Sequence, residues 1–259
     1  MLFWKLISSS FRSQMQYSAS FLTLCIAHLF STSIYFLGVW VLFDRFQMVK
    51  GWTVYEVGLI YGIVHIGFGL GESFARGFER FSYMLIQGDF DRVLLRPINP
   101  LLQIAAHDIQ LLRLSRCIQG AFILGWSASH FSFAFISIQT LVIIFSIIGT
   151  TCLFYGLLVI QAALSFWTTE TLEIMNITTY GGLQTGQYPM SFYNRSFRLI
   201  FTFVIPLSCV AYYPIAALLQ RESIPIWAAS IAPVTGLIFL YLACQLWHIG
   251  SRRYHSTGC

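Results

Sequence analysis

Charge is what this chain has least of. Of its 259 residues, 10% are charged: 15 Lys or Arg and 10 Asp or Glu. A soluble domain carries about 25%, because its surface must face water. So few charged side chains cannot cover the surface of a 29.5 kDa chain. With 57% hydrophobic residues and a mean hydropathy of +0.70, the sequence reads as an integral membrane protein. The same apolar content excludes disorder.

Lysine is scarcer still. Only Lys5 and Lys50 occur and neither follows glycine, so the phosphate-binding pattern G-x-x-x-x-G-K-[ST] is impossible. The chain is therefore expected to hold no ATP-hydrolysing site, and any motor must be a separate subunit. Catalytic and metal signatures are missing too. The six His residues form no H-x-x-x-H or H-E-x-x-H pair, and no G-x-S-x-G elbow is present. The six Cys residues include no C-x-x-C and read as small buried hydrophobes. No enzyme activity, cofactor or metal is expected of the chain itself. The formal charge of +5 does not mark a nucleic-acid binder, because the Arg residues are spread over short loops between apolar runs.

What is present is apolar length. A spanning helix needs about 20 mostly apolar residues. Six candidate spans cover about 20–43, 52–75, 108–128, 135–166, 199–219 and 229–249. No Asp, Glu, Lys or Arg occurs from Cys117 to Trp167, a stretch too long for one helix, so a turn at Ser127–His130 is expected to divide it. Basic residues are retained on the cytoplasmic side. With the N-terminus inside, Lys5, Arg12, Arg76, Arg80, Arg92, Arg96, Arg113, Arg116, Arg195, Arg198, Arg252 and Arg253 fall inside. Only Arg45, Lys50 and Arg221 then fall outside. Both termini are expected to be cytoplasmic. Phe3, Ile7, Phe11 and Met15 recur every four residues, which suits an interfacial helix before span one.

Inside span two, Gly58, Gly62, Gly67, Gly69 and Gly71 form a small-residue surface for close helix packing. His65 and Glu72 are ionisable groups at membrane depth and thus functional candidates, though Glu72 lies one turn from Arg76 and suits an ion pair with it. The stretch after span two places Phe78, Phe81, Met84 and Leu85 at helical spacing, with Gly88 a helix end. Asp91, Arg92 and Arg96 then alternate with Phe90, Val93, Leu94 and Leu95 before Pro97. An amphipathic helix along the membrane fits this pattern. Its charged face either meets a cytoplasmic partner or serves topology alone. Glu170, Glu173 and Asn176 share one helix face and either pair with Arg residues or line a cation path. Pro206 is expected to kink span five, and the Tyr212-Tyr213-Pro214 and Pro225-to-Trp227 breakers allow a segment that dips back into the membrane.

Several motifs occur in one order along the chain. They are Gly88-Asp-Phe-Asp-Arg92 with Arg96-Pro-Ile-Asn-Pro100, then Phe166-Trp-Thr-Thr-Glu170 with Glu173 and Asn176. Tyr180-Gly-Gly182, Tyr188-Pro189, Tyr212-Tyr-Pro214, Trp247-His-Ile-Gly250 and Tyr254-His-Ser-Thr-Gly258 follow. Together they resemble the permease subunit of type-2 ABC exporters, the ABC-2 family transporter proteins, in the branch encoded beside a second permease and an ATPase.

The resemblance implies an all-α membrane protein, one permease domain over 1–259, with six spans and both ends cytoplasmic. It adds a coupling helix between spans two and three and a re-entrant segment between spans five and six. Glu79, Arg80, Asp89, Asp91, Arg92 and Arg96 become candidate contacts to the ATPase. His65, Glu72, Glu170, Glu173, Tyr212, Tyr213 and Pro214 are the candidates for pathway or gate. The implied partners are ATPase subunits carrying ATP and Mg, a second permease chain, identical or related, and membrane lipid, in a bacterial inner membrane. The apolar, aromatic composition points to an amphipathic or lipid-like cargo. The rival reading, a self-sufficient secondary transporter or channel, calls for inverted repeats and mid-span charges that are not evident.

Overall fold

The computed structural model describes residues 8, 12–131, 137–168, 172–221 and 225–254, with the side chains of 172–174 and 226 outside that description. Among the described residues the fold is helical, with no strand and one isolated bridge, Val49 to Trp52. In chain order the helices are α1 (Ser18–Phe46), α2 (Val54–Ala75), α3 (Phe81–Ile86), α4 (Asp89–Leu94), α5 (Pro100–His107) and α6 (Leu114–Ala128). Then come α7 (Ile138–Leu164), α8 (Leu172–Gly186), α9 (Arg195–Leu199), α10 (Tyr213–Leu218), α11 (Ile226–Ile231) and α12 (Val234–Ser251). Of the expected interfacial helix, residues 12–15 are helical, while Phe3, Ile7 and Phe11 lie outside the described residues.

Helix α2 is the centre of the bundle. A tight turn through Lys50 (φ 49°) and Gly51 (φ 81°) leads into it. A capping box then starts it: Glu56 Oε2 accepts from the Thr53 amide at 2.8 Å and Thr53 Oγ1 accepts from the Glu56 amide at 3.4 Å. The expected glycine surface is real and has two faces. Gly58, Gly62 and Gly69 receive Ser127, Leu124 and Cys117 of α6, so those two helices run antiparallel. Gly67 and Gly71 receive Thr150 and Phe154 of α7, which runs parallel. Helix α12 lies parallel to α7, with Gly149 and Gly156 against Pro233 and Phe239. Helix α1 follows α6: His28 Nδ1 is 2.7 Å from Ser115 Oγ, and Gln119 Nε2 donates to the Thr32 carbonyl at 2.9 Å. Close backbone approach over small residues is how helices associate where lipid removes the hydrophobic drive.

Four helical stretches are long and apolar enough to cross a membrane: Ser18–Phe46, Val54–Ile86, Ile138–Leu164 and Trp227–Ser251. Two of the six expected spans differ from the sequence reading. The stretch 108–128 begins with extended residues after α5 and a tight turn at Leu111–Arg113, leaving α6 with 15 residues. At 1.5 Å per residue that covers only about 22 Å.

The stretch 199–219 does not run straight. Its arms, Arg195–Val204 and Ser208–Leu218, bend by 88°. Pro206 has no amide hydrogen to offer and forces Ile205 into extended backbone (φ −116°, ψ 95°). The arms meet at nearly a right angle and are tied together near the bend, with Thr202 Oγ1 at 3.5 Å from the Tyr213 hydroxyl and Cys209 Sγ at 3.8 Å from the Thr202 carbonyl. Both ends of this hairpin return to the end of the bundle that holds the α1–α2 turn. Lys50 Nζ donates to the Ser191 and Phe192 carbonyls at 3.3 and 3.2 Å, and Arg221 pairs with Glu56. Arg195 and Arg198, expected inside, thus lie at the same end as Lys50. The chain reaches that end through α8, antiparallel to α2, with Tyr180 beside Glu72 and Gln187 beside His65.

Candidate functional site

At the opposite end, α3 and α4 form an elbow. Gly88 sits at φ 73°, a left-handed conformation that ends α3 and caps α4. The expected helix end at Gly88 is present, and the amphipathic segment after it forms the short helix α4. The apolar faces of α3 and α4 enter an aromatic box. Phe81 and Phe90 are fully buried, with ring centroids 5.1 Å apart. Phe166, beyond the end of α7, lies 5.1 Å from Phe81, and Trp247 of α12 lies 4.7 Å from it. Tyr254 closes the box 4.9 Å from Phe90.

The opposite face of the elbow is exposed. Arg92 is 82% exposed beside Asp89, at 3.2 Å. Leu95 is 85% exposed and Arg96 is exposed as well. Arg80 reaches Asp108 at 3.2 Å and stays largely in the open. Two of the expected contacts turn inward instead. Glu79 bonds Arg76 at 2.6 Å with only 14% of its side chain exposed, and Asp91 accepts from the Tyr254 hydroxyl at 3.1 Å. Burial, then the bond to that carboxylate, pushes the Tyr254 pKa above its ordinary value.

Between elbow and core lies a buried charge cluster. Glu72, 1% exposed, accepts from the Tyr180 hydroxyl at 2.8 Å. Arg76 and Arg113 each bring Nη1 to 3.1 Å from its Oε1, and Arg116 brings Nη1 to 3.5 Å from its Oε2. The sequence suggested only the Arg76 pair. Arg113 and Arg116 read as topology charges, and the missed signal is their spacing of three on a helix antiparallel to α2. His65 stacks on Tyr61 at 3.9 Å and shares a 3.2 Å hydrogen bond with Gln187. It is buried between helices. Glu170 and the side chain of Glu173 lie outside the described residues.

The Tyr212-Tyr213-Pro214 motif packs the hairpin to the α1–α2 turn. Tyr212 and Pro214 are buried and Tyr213 half-buried. Arg198 lies over both tyrosine rings at 5.7 Å. Tyr212 meets Trp52 at 5.9 Å, and Arg221 covers that Trp ring at 5.7 Å while holding Glu56 Oε1 at 2.6 Å.

A family model described as ABC-2 family transporter protein matches residues 29–258, nearly the whole chain. The chain belongs to that family. Neither the curated proteins nor the solved structures yield a match. As an ABC-2 family transporter protein it is the permease component of an ABC transporter, a membrane protein of a family that generally works with ABC ATPase partners. In this ABC-2 permease the elbow is buried where it enters the aromatic box and charged and exposed on its opposite face.

Proposed function

We propose that this ABC-2 permease is half of the transmembrane pathway of an ATP-driven exporter in a bacterial inner membrane. A second permease chain, identical or related, forms the other half, and separate ATPase subunits with ATP and Mg dock beneath. In this reading α1, α2, α6, α7, α8 and α12 pass alternately through the bilayer, and the hairpin from 195 to 218 re-enters from outside. The basic residues support that orientation. With Arg195, Arg198, Arg45, Lys50 and Arg221 outside, the other ten of the fifteen lie on the cytoplasmic side.

The observation that carries the proposal is the elbow. Its exposed residues Arg80, Asp89, Arg92 and Arg96 form the docking face, and Phe81 and Phe90 transmit ATP-driven movement to α7 and α12 through the aromatic box. The work of each cycle comes from the difference in ATP affinity between the two states of the ATPase pair.

Gentle solubilisation of a tagged chain, followed by mass spectrometry of what co-purifies, tests this. An ATPase with a phosphate-binding loop in stoichiometric amount is expected. A chain that purifies alone, with no ATPase activity, overturns the proposal. Arg92→Glu should leave membrane insertion intact and abolish retention of the ATPase.

A further inference from the structure

Arg116 is the least satisfied charge among the described residues. Its side chain is 10% exposed, yet Nε and Nη1 are buried without a hydrogen-bond partner. Glu72 Oε2, 3.5 Å from Nη1, also accepts no hydrogen bond. The Phe68 ring, 4.8 Å from the guanidinium carbon, attracts the cation but is no substitute for a charged acceptor. A buried guanidinium with empty donors is costly unless something fills them.

The charges leave the same gap. Arg76, Arg113 and Arg116 face Glu72, and Glu79 adds a second carboxylate through Arg76. Arg80 and Asp108 form a separate neutral pair at 3.2 Å, and His28 of α1, bonded to Ser115, adds no anion. Three cations meet two anions. Among the described residues one negative charge is missing.

We infer that the phosphodiester head group of an anionic membrane lipid supplies it, seated at Arg113 and Arg116. A phosphodiester carries one negative charge, whereas a phosphate monoester carries about 1.5 to 2 near neutral pH. Basic pockets between helices at the cytoplasmic face suit lipid head groups. The route is also present. A cavity of about 700 Å³ opens between the base of α1 and residues 107–112. Tyr17, Phe21 and Leu24 give it an apolar wall for acyl chains, and Gln110 lines its floor. Gln110 Oε1 accepts from Arg113 Nε at 3.3 Å, so the Arg113 guanidinium lies directly behind the cavity lining, with Arg116 three residues further along the chain. Asp108, which also lines it, is neutralised by Arg80. The inference goes beyond the transporter reading and does not rest on it.

Thermal unfolding of the full chain in neutral detergent tests it, with phosphatidylglycerol, phosphatidylcholine or inorganic phosphate added. Phosphatidylglycerol should raise Tm by about 5 °C over phosphatidylcholine. Arg116→Gln should lose that rise and Arg253→Gln, an exposed arginine at the same end, should keep it. A rise with inorganic phosphate alone overturns the lipid source. Equal rises in wild type and Arg116→Gln, or none in wild type, overturn the site. Should Arg116→Gln not fold, native mass spectrometry of the wild type decides: one retained phosphatidylglycerol per chain supports the site, and no preference over phosphatidylcholine overturns it. Both readouts need no ATPase, so failure of the transporter reading leaves them intact.

Discussion

The Tyr254 hydroxyl donates to Asp91 Oδ1 at 3.1 Å, joining the tail beyond α12 to the first turn of α4. Tyr254→Phe keeps the ring against Phe90 and removes only this bond, a loss of about 1 kcal/mol. The measurement is thermal unfolding beside the ratio of transport to ATP hydrolysis. A variant unchanged in both would mean that the bond serves neither stability nor coupling. The bond also has a pH signature. The folded-state pKa of Tyr254 is raised, so its contribution is complete below the ordinary tyrosine value of 10.0 and is lost as pH rises through the higher folded value. Trypsin cleavage at Arg252 and Arg253 should accelerate only in that alkaline range.

Topology separates the sequence reading from the structural one at Arg195 and Arg198. In a cysteine-free background, a cysteine at the exposed Arg195 should react with an impermeant thiol reagent added to intact cells. A cysteine at Arg92 should react only after lysis. Protection of Arg195→Cys in intact cells would restore a straight span over 199–219.

Glu72 holds three guanidinium groups, and its neutral isostere strands them. Glu72→Gln should cost about 3–5 kcal/mol, the scale for losing one partner of a buried ion pair. Adding Arg116→Gln should recover part of that loss, because it removes the cation with the fewest partners. Folded yield after detergent extraction reads both. A double variant as poor as the single one would show that the two residues do not share an environment.

Two glycines make a controlled comparison. A Cβ on Gly62 would stand 2.7 Å from Leu124 Cβ and 2.9 Å from the Gly120 carbonyl, forcing α2 from α6. Gly62→Ala should cost about 1–3 kcal/mol. A Cβ on Gly38 meets nothing within 4 Å. Gly38→Ala should be neutral or stabilise by up to about 1 kcal/mol. Equal melting temperatures for the two would count against the close α2–α6 contact.

Local physics made much of this legible from the residues alone. Apolar length located α1, α2 and α7. The four-residue glycine spacing anticipated a packed α2, and Gly88 announced the break in the elbow. The hairpin was hidden because Pro206 reads as a kink either way. Only the partners of Lys50 and Arg221, more than a hundred positions distant, show that the chain turns back. Helix α8 was anticipated only as a helix face around Glu170, Glu173 and Asn176, because its Thr, Gly and Gln residues dilute the apolar signal. Arg113 and Arg116 were counted for their charge, and a charge count carries no information about which carboxylate each one faces. Glu79 and Asp91 were expected as contacts on the charged face, but Arg76 and the Tyr254 hydroxyl hold them inward.

The aromatic box also has a consequence for the order in which the protein is made. Phe90 leaves the ribosome long before Trp247 and Tyr254, and the Tyr254 hydroxyl that bonds its neighbour Asp91 lies 163 positions further on. Until then the elbow rests on Phe166 and on α5, where Gln103 Nε2 donates to the Val93 carbonyl at 3.1 Å, and its aromatic box is open on the side of α12. In the proposed complex, an ATPase bound at this face would meet a permease whose last helix is already docked, and the tail would act as a completion mark for assembly.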